Sequence, residues 1–230
     1  MSASASPLAR AGKPQPAAAA VAKSPFAGHV ADPVAAPGAV AAADNPCGYI
    51  PTVQRFRFHG LPSSKVAMHK QPFSATLVTT QGRITFKALA ADAPCTTNSF
   101  RFLAQHQYYD DTHCHRLVTS GIFVLQCGDA TGTGSGGAGY EFKDENLAGA
   151  TYPAGTVAMA NAGPDTNGSQ FFICTKDTTL SPAYTPFGRV TAGMDVLLKI
   201  DAGGTDDQNS VDDGYPLLYV GISTVKIQLG

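Results

Sequence analysis

The segment His113-Cys114-His115-Arg116, the apolar run Gly121 to Leu125, and then Gln126-Cys127-Gly128-Asp129 bring metal-ligand, redox and cationic side chains into one short stretch. On a strand, alternation puts His113 and His115 on one face and Cys114 with Arg116 on the other. Two histidines can meet one zinc ion, but a site needs three or four protein ligands. Asp110, Asp111 and Cys127 are near in sequence, yet no second ligand cluster follows at suitable spacing. The expectation is two histidines that pack and hydrogen-bond, with no metal. The five cysteines, Cys47, Cys95, Cys114, Cys127 and Cys174, include no C-x-x-C pair and leave at least one thiol without an internal partner. Two disulfides can form, and the sequence does not choose the pairing.

Gly132 to Gly137 matches G-x-G-x-x-G. The dinucleotide fingerprint needs a preceding strand and a following helix, whereas Ala138-Gly139-Tyr140 continues without helical periodicity. A close-packed surface loop is expected instead of a phosphate site. The segments around Gly155 and Ser169 lack the G-x-S-x-G elbow, so serine hydrolysis has no support.

What remains is a set of polar side chains among apolar and aromatic ones: Arg116 and Gln126 flanking the apolar run, Asn161, and Gln170 before Phe171-Phe172. Taken singly, these are ordinary barrel decoration. Their order is more specific. His115-Arg116, Gly121 to Asp129, Gly134 to Gly137, Tyr152 to Pro164, "NAGPDTNGSQFFI" from Asn161 to Ile173, and Phe187 to Val190 occur in one series. That series resembles the cyclophilin family of peptidyl-prolyl cis-trans isomerases over residues 74–230. Where the usual pattern runs His-Arg-x-x-Pro-Gly-Phe-Met, this chain has Thr119-Ser120 in place of the proline and Ile122 as an extra residue, similar to a bacterial subgroup.

The resemblance implies a mainly β fold, a closed eight-stranded antiparallel barrel capped by two helices. It implies rotation of X–Pro bonds with no cofactor, on proline-containing peptides and on unfolded or folding proteins. Such chemistry needs a site that prefers the twisted amide to either planar form, and a permanently charged, forked donor beside an apolar pocket suits it. By the resemblance Arg116 is that donor and Gln126 orients it. Asn161 and Ala160 hold the preceding peptide, and Phe123, Val124, Phe172 and Leu180 receive the proline ring. Gln170 binds backbone at the pocket floor, and Gly134 permits close approach. Tyr184 stands where the family often has histidine. Cyclosporin binding is expected to be weak, because Thr179 occupies the place of a tryptophan and the chain has none. The competing reading is a module that binds proline segments, or a chaperone, with little catalysis. Retention of Arg116 favours the enzyme.

The elements that must position these residues are partly legible. Ala75 to Thr80, Gln81-Gly82, and Arg83 to Leu89 predict a hairpin. Ala93-Pro94 opens a helix whose apolar face is Phe100, Leu103 and Ala104. Short strands follow, then a helix over Gly193 to Ile200 stopped by Gly203-Gly204, and a closing strand region from Leu217 to Ile227. Residues 1–46 hold 17 alanines and 7 prolines and read as a flexible tail or linker. Residues 47–73 are transitional, with Val53, Phe56 and Phe58 alternating at the domain edge.

Charged residues are 14% and apolar residues 43%, enough for a sizeable core, and the net charge of −1 gives no electrostatic case for a nucleic-acid partner. No apolar stretch of about 18 residues spans a membrane. A monomer is expected. The absence of a signal-like h-region points to the cytoplasm and the five cysteines to export; an anchor upstream of this chain would make the tail a membrane-to-domain linker.

Overall fold

The computed structural model describes residues 45–53 and 56–230. The expected flexible tail therefore lies, up to residue 44, outside the described residues. The chain that follows is fastened to the domain. Cys47 is bonded to Cys95, the buried Tyr49 donates its hydroxyl to the Cys95 carbonyl at 2.6 Å, and β1 (Ile50–Pro51) pairs with β7 (Tyr140–Glu141) as a separate two-stranded sheet. Val53 and Phe56 are exposed, and Phe58 packs against the core.

A short helix, α1 (Ser64–Ala67), precedes the predicted hairpin. Alternation builds that hairpin: β2 (Phe73–Thr79) buries Phe73, Ala75 and Leu77, while β3 (Gly82–Ala88) buries Ile84, Phe86 and Ala88. The two strands pair in register from Ser74↔Lys87 to Thr79↔Gly82 around Thr80-Gln81.

Helix α2 (Pro94–Gln105) starts at the predicted proline. Its first-turn N–H groups are satisfied from a distance, Cys95 and Thr96 donating to the Glu145 carboxylate at 3.0 and 2.8 Å. A negative charge there also suits the helix dipole. The predicted Phe100 fills the core, its ring 5.0–5.5 Å from those of Phe86, Tyr109, Phe171 and Phe187.

The remaining strands are β4 (Thr112–His113), β5 (Arg116–Val118), β6 (Val124–Cys127), β8 (Thr156–Met159), β9 (Phe171–Cys174), β10 (Pro186–Ala192), β11 (Asp213–Gly214) and β12 (Gly221–Leu229). Helix α3 (Met194–Ala202) follows Gly193, whose φ of +92° and contact with the Arg83 carbonyl leave no room for a Cβ. Leu217 and Tyr219, expected in the last strand, lie before it and are exposed.

The expectation of a closed eight-stranded barrel with two helices is corrected here. Among the described residues the main sheet is a curled antiparallel one of ten strands in the order β11-β5-β6-β9-β8-β10-β3-β2-β12-β4, and three helices accompany it. The difference arises around residues 112–118. Their first part pairs with β12 and their last part with β6. Two very short strands thus stand there with Cys114 and His115 between them, and β11 adds a further edge strand beside β5. None of the helices among the described residues is long and apolar enough to cross a membrane.

Strands β6, β9 and β8 are buried on both faces. Leu125, Cys127, Phe171, Ile173, Val157 and Met159 face the main core, and Val124, Phe172, Cys174 and Ala158 face a second, smaller apolar cluster. Continuous apolar runs such as Phe171 to Cys174 follow from that double burial. The second cluster carries the candidate site.

Candidate active site

Pairing register assembles the site. Arg116 of β5 opposes Gln126 of β6, Gln126 opposes Phe172 of β9, and Phe172 opposes Ala158 of β8. Residues directly opposite in antiparallel strands share a face. A guanidinium, a carboxamide, a phenyl ring and a methyl group therefore stand in one row, with neighbouring strands about 4.8 Å apart. Val118, Val124 and Cys174 form the adjacent row on the same face. Tyr184 packs edge-on to Phe172 at a centroid distance of 5.7 Å, and Ala160, Ile122 and the half-buried Leu180 complete the cluster.

Most of the sequence-predicted residues converge here, but Phe123 does not join the cluster. Its ring carries the Lys176 ammonium 4.8 Å from its centroid, and Ile122 packs in the cluster instead. Both residues lie in the turn before β6, outside the strand pairing that places Val124 and Gln126.

The polar rim is tightly specified. Gln170 donates both amide hydrogens, to the Gly134 and Gly136 carbonyls, each at 2.9 Å. Its Oε1 must then face Gln126, whose Nε2 donates to it at 2.8 Å. Gln126 Oε1 is left buried without a hydrogen-bond partner. Asn161 donates to the Ala183 carbonyl at 2.8 Å, and the Ala160 N–H donates to the Gln170 carbonyl at 3.0 Å. Tyr152 holds Tyr184 by its backbone, its hydroxyl donating to the Tyr184 carbonyl at 2.9 Å and accepting from the Tyr184 N–H at 3.1 Å.

Arg116 is gripped by a residue that sequence reasoning missed. Asp213 of β11 accepts from Nε at 2.7 Å and from Nη2 at 2.5 Å. Gln126, expected to orient the guanidinium, is turned toward Gln170 by the network just described. Burial alone would raise the Asp213 carboxyl, but the Arg116 and Asn209 hydrogen bonds and the Arg116 charge outweigh it and hold the pKa below the usual value. No local pattern marks Asp213, which lies 97 positions from Arg116.

The glycine-rich segment is a packed loop organised by Asp129, which is fully buried. Its carboxylate accepts from Thr131 N at 2.7 Å, Thr131 Oγ1 at 2.7 Å and Gly136 N at 3.0 Å. Burial raises the Asp129 pKa, but these bonds lower it further than that, leaving it below the usual carboxylate value. Gly136 is required because a Cβ there would meet that carboxylate. Strand β7 follows the loop, not the helix a dinucleotide site needs.

The two histidines of the opening motif are in different surroundings. His113 lies beside the Tyr215 and Tyr219 rings, at 6.3 and 5.8 Å. His115 is buried against Gly134. Neither of its ring nitrogens meets a hydrogen-bond partner; Gln170 beside it spends both amide hydrogens on the glycine carbonyls. Burial pushes the imidazole down to about 4, against the attraction of Asp129. His115 is therefore neutral at physiological pH.

The arrangement sets a charged fork beside a buried apolar cluster that includes Phe172 and Val124. Comparison with known proteins identifies the family. A family model described as cyclophilin type peptidyl-prolyl cis-trans isomerase matches residues 75–226. A protein from Mycobacterium tuberculosis named probable peptidyl-prolyl cis-trans isomerase B is 41% identical over 179 residues, 72% of this chain and 58% of that one. Its counterpart from Mycobacterium leprae is 39% identical over 197 residues, 79% of this chain and 66% of that one. The chain thus spans about three fifths of the length of these curated relatives. A Cryptosporidium parvum cyclophilin type peptidyl-prolyl cis-trans isomerase, solved in the presence of the dipeptide Ala-Pro, has a TM-score of 0.60 and 29% identity. That likeness covers 67% of this chain and 98% of the other.

Proposed function

This chain belongs to the cyclophilin-type peptidyl-prolyl cis-trans isomerase family, and we propose that it accelerates X–Pro bond rotation in proline-containing peptides and folding proteins. The observation that carries this reading is the row Arg116–Gln126–Phe172–Ala158, which puts a fixed guanidinium next to a buried apolar cluster.

An X–Pro bond has cis and trans forms of similar energy, separated by a barrier of about 18–20 kcal/mol from amide resonance. Twisting the bond removes conjugation and gives the prolyl nitrogen a lone pair that can accept a hydrogen bond. In a planar amide that lone pair is not available. A donor aimed at the nitrogen therefore stabilises the transition state more than either ground state, the condition for catalysis. In this reading the proline ring enters against Val124, Phe172 and Leu180, with Phe123 at the outer edge. Asp213 takes the Nε–Nη2 edge of Arg116 and so holds the fork beside that ring. Ala160 and Asn161 carry the preceding peptide, Gln170 holds the Gly134 loop as its wall, and Tyr184 closes the ring pocket. Thr179, exposed beside Leu180, offers cyclosporin a short hydroxyl where a tryptophan would supply an indole N–H and a broad apolar face. A protease-coupled isomerisation assay on a short X-Pro peptide tests the reading: acceleration proportional to enzyme supports it, and none with a folded protein rejects it.

A further inference from the structure

A carboxylate in register with a charged fork can do more than tie down a loop. Asp213 opposes Val118 across β11 and β5, and Arg116 is two residues from Val118 on the same strand. Arg116 and Asp213 are therefore diagonal neighbours on one face, within reach of a long side chain. The carboxylate meets the guanidinium through both oxygens, the planar two-point geometry that fixes a fork in orientation as well as in place. Both side chains are 14% exposed, so the pair is more than a solvated surface contact.

The loop that delivers Asp213 is itself braced. Asp206 Oδ1 accepts from Gln208 N at 3.2 Å and Tyr215 N at 2.7 Å, and Asp207 Oδ1 accepts from Asp212 N at 2.8 Å. Asn209 Nδ2 donates to Asp213 Oδ1 at 3.0 Å, and Thr119 N donates to the Asp212 carbonyl at 3.0 Å. Gly214 follows Asp213 because a Cβ there would collide with Asp206. Asp213 is consequently a fixed point against which a flexible side chain is set. The rim glutamine does not do this, since its Nε2 is committed to Gln170 and its Oε1 accepts nothing.

We infer that Asp213 is the positioning residue for the Arg116 guanidinium, so that the loop between α3 and β12 sets the turnover rate without touching substrate. The inference rests on the reading of Arg116 as the catalytic donor. A carboxylate that only fastened the loop would change stability and leave the split between kcat and KM alone. A positioning carboxylate acts on kcat, because it limits how often the fork is aimed.

The test compares the full chain with Asp213→Asn, Asn209→Ala and Arg116→Ala, using kcat and KM for an X-Pro peptide. It adds the 15N-edited NMR signal of the Arg116 Nε–H, assigned by its loss in Arg116→Ala. Asp213→Asn, nearly isosteric, is expected to lower kcat about tenfold with KM within about twofold. Its Nε–H signal should shift and exchange with water faster. Asn209→Ala, which removes one brace and keeps the carboxylate, should give a smaller loss in the same direction and decides the matter if Asp213→Asn does not fold. Wild-type kcat in both variants, or a kcat loss with an unmoved Nε–H signal, overturns the inference while the reading of Arg116 stands. Wild-type activity in Arg116→Ala overturns both.

Discussion

Gln126 Nε2 donates to Gln170 Oε1 at 2.8 Å, and this contact links the Arg116 strand pair to the glycine-rich loop. The polar rim is thus one connected network, from the Asp129-centred loop through Gln170 to Gln126. Replacing Gln170 by Glu puts an acceptor where two carbonyls already point. Gln170→Glu should destabilise the fold by about 2–3 kcal/mol, for two lost hydrogen bonds and unsatisfied acceptors. Gln170→Met, which loses the bonds without adding charge, should cost less. Denaturant unfolding of the two variants checks the order; equal stabilities would mean the network does not hold the loop.

Acid should weaken the protein through His115. Its folded pKa is lowered to about 4, chiefly by burial, with His113 and Arg116 adding to the effect and Asp129 opposing it. A depressed histidine leaves the unfolded chain binding more protons between about pH 6.5 and 4. Stability is therefore greatest above this window and falls as pH drops through it, by up to about 3 kcal/mol. His115→Gln should flatten that slope. A slope unchanged in the variant would place the acid sensitivity elsewhere.

The Cys114–Cys127 bond closes a span of 13 positions around Arg116 and Gln126. Removing it as Cys114→Ala with Cys127→Ala should cost about 3 kcal/mol, mainly by freeing the unfolded chain. Below the lowered melting point, activity should stay within about threefold of wild type, because the Arg116↔Gln126 register is also held by the strand ladder. A larger kinetic loss would show that the bond shapes the site directly.

Cyclosporin should bind weakly. One missing hydrogen bond and the missing aromatic burial at Thr179 together weaken binding by roughly ten- to several-hundredfold. Calorimetry on Thr179→Trp should show tightening with catalysis preserved. Nanomolar binding to the unmodified chain would contradict the placement of residues 175–187.

Local sequence made visible what local physics decides. Alternation gave the β2–β3 hairpin, and proline with an i, i+3, i+4 apolar set gave α2. Motif order brought Arg116, Gln126 and Phe172 together as one group before any register was known. What stayed hidden depends on distant pairing. Residues 112–118 divide, the first part pairing with β12 and the last with β6 and β11, and so make β4 and β5 too short for any periodicity to reveal. The cysteines pair as Cys47–Cys95 and Cys114–Cys127, with Cys174 buried and unbonded, a choice fixed by folding and not by spacing. Ile122 packs in the cluster and Phe123 does not, and Asp213 is an unremarkable aspartate until β11 meets β5.

The central claim is that Arg116 catalyses by donating to the twisted amide, and kcat/KM for an X-Pro peptide in Arg116→Ala and Arg116→Lys tests it most directly. Alanine should lose about a hundredfold or more, the scale for removing a preorganised donor. Lysine should recover little, since it keeps the charge but lacks the fork that Asp213 orients. Circular dichroism should show both variants folded. An Arg116→Ala protein that is folded and retains near-normal kcat/KM would contradict the account.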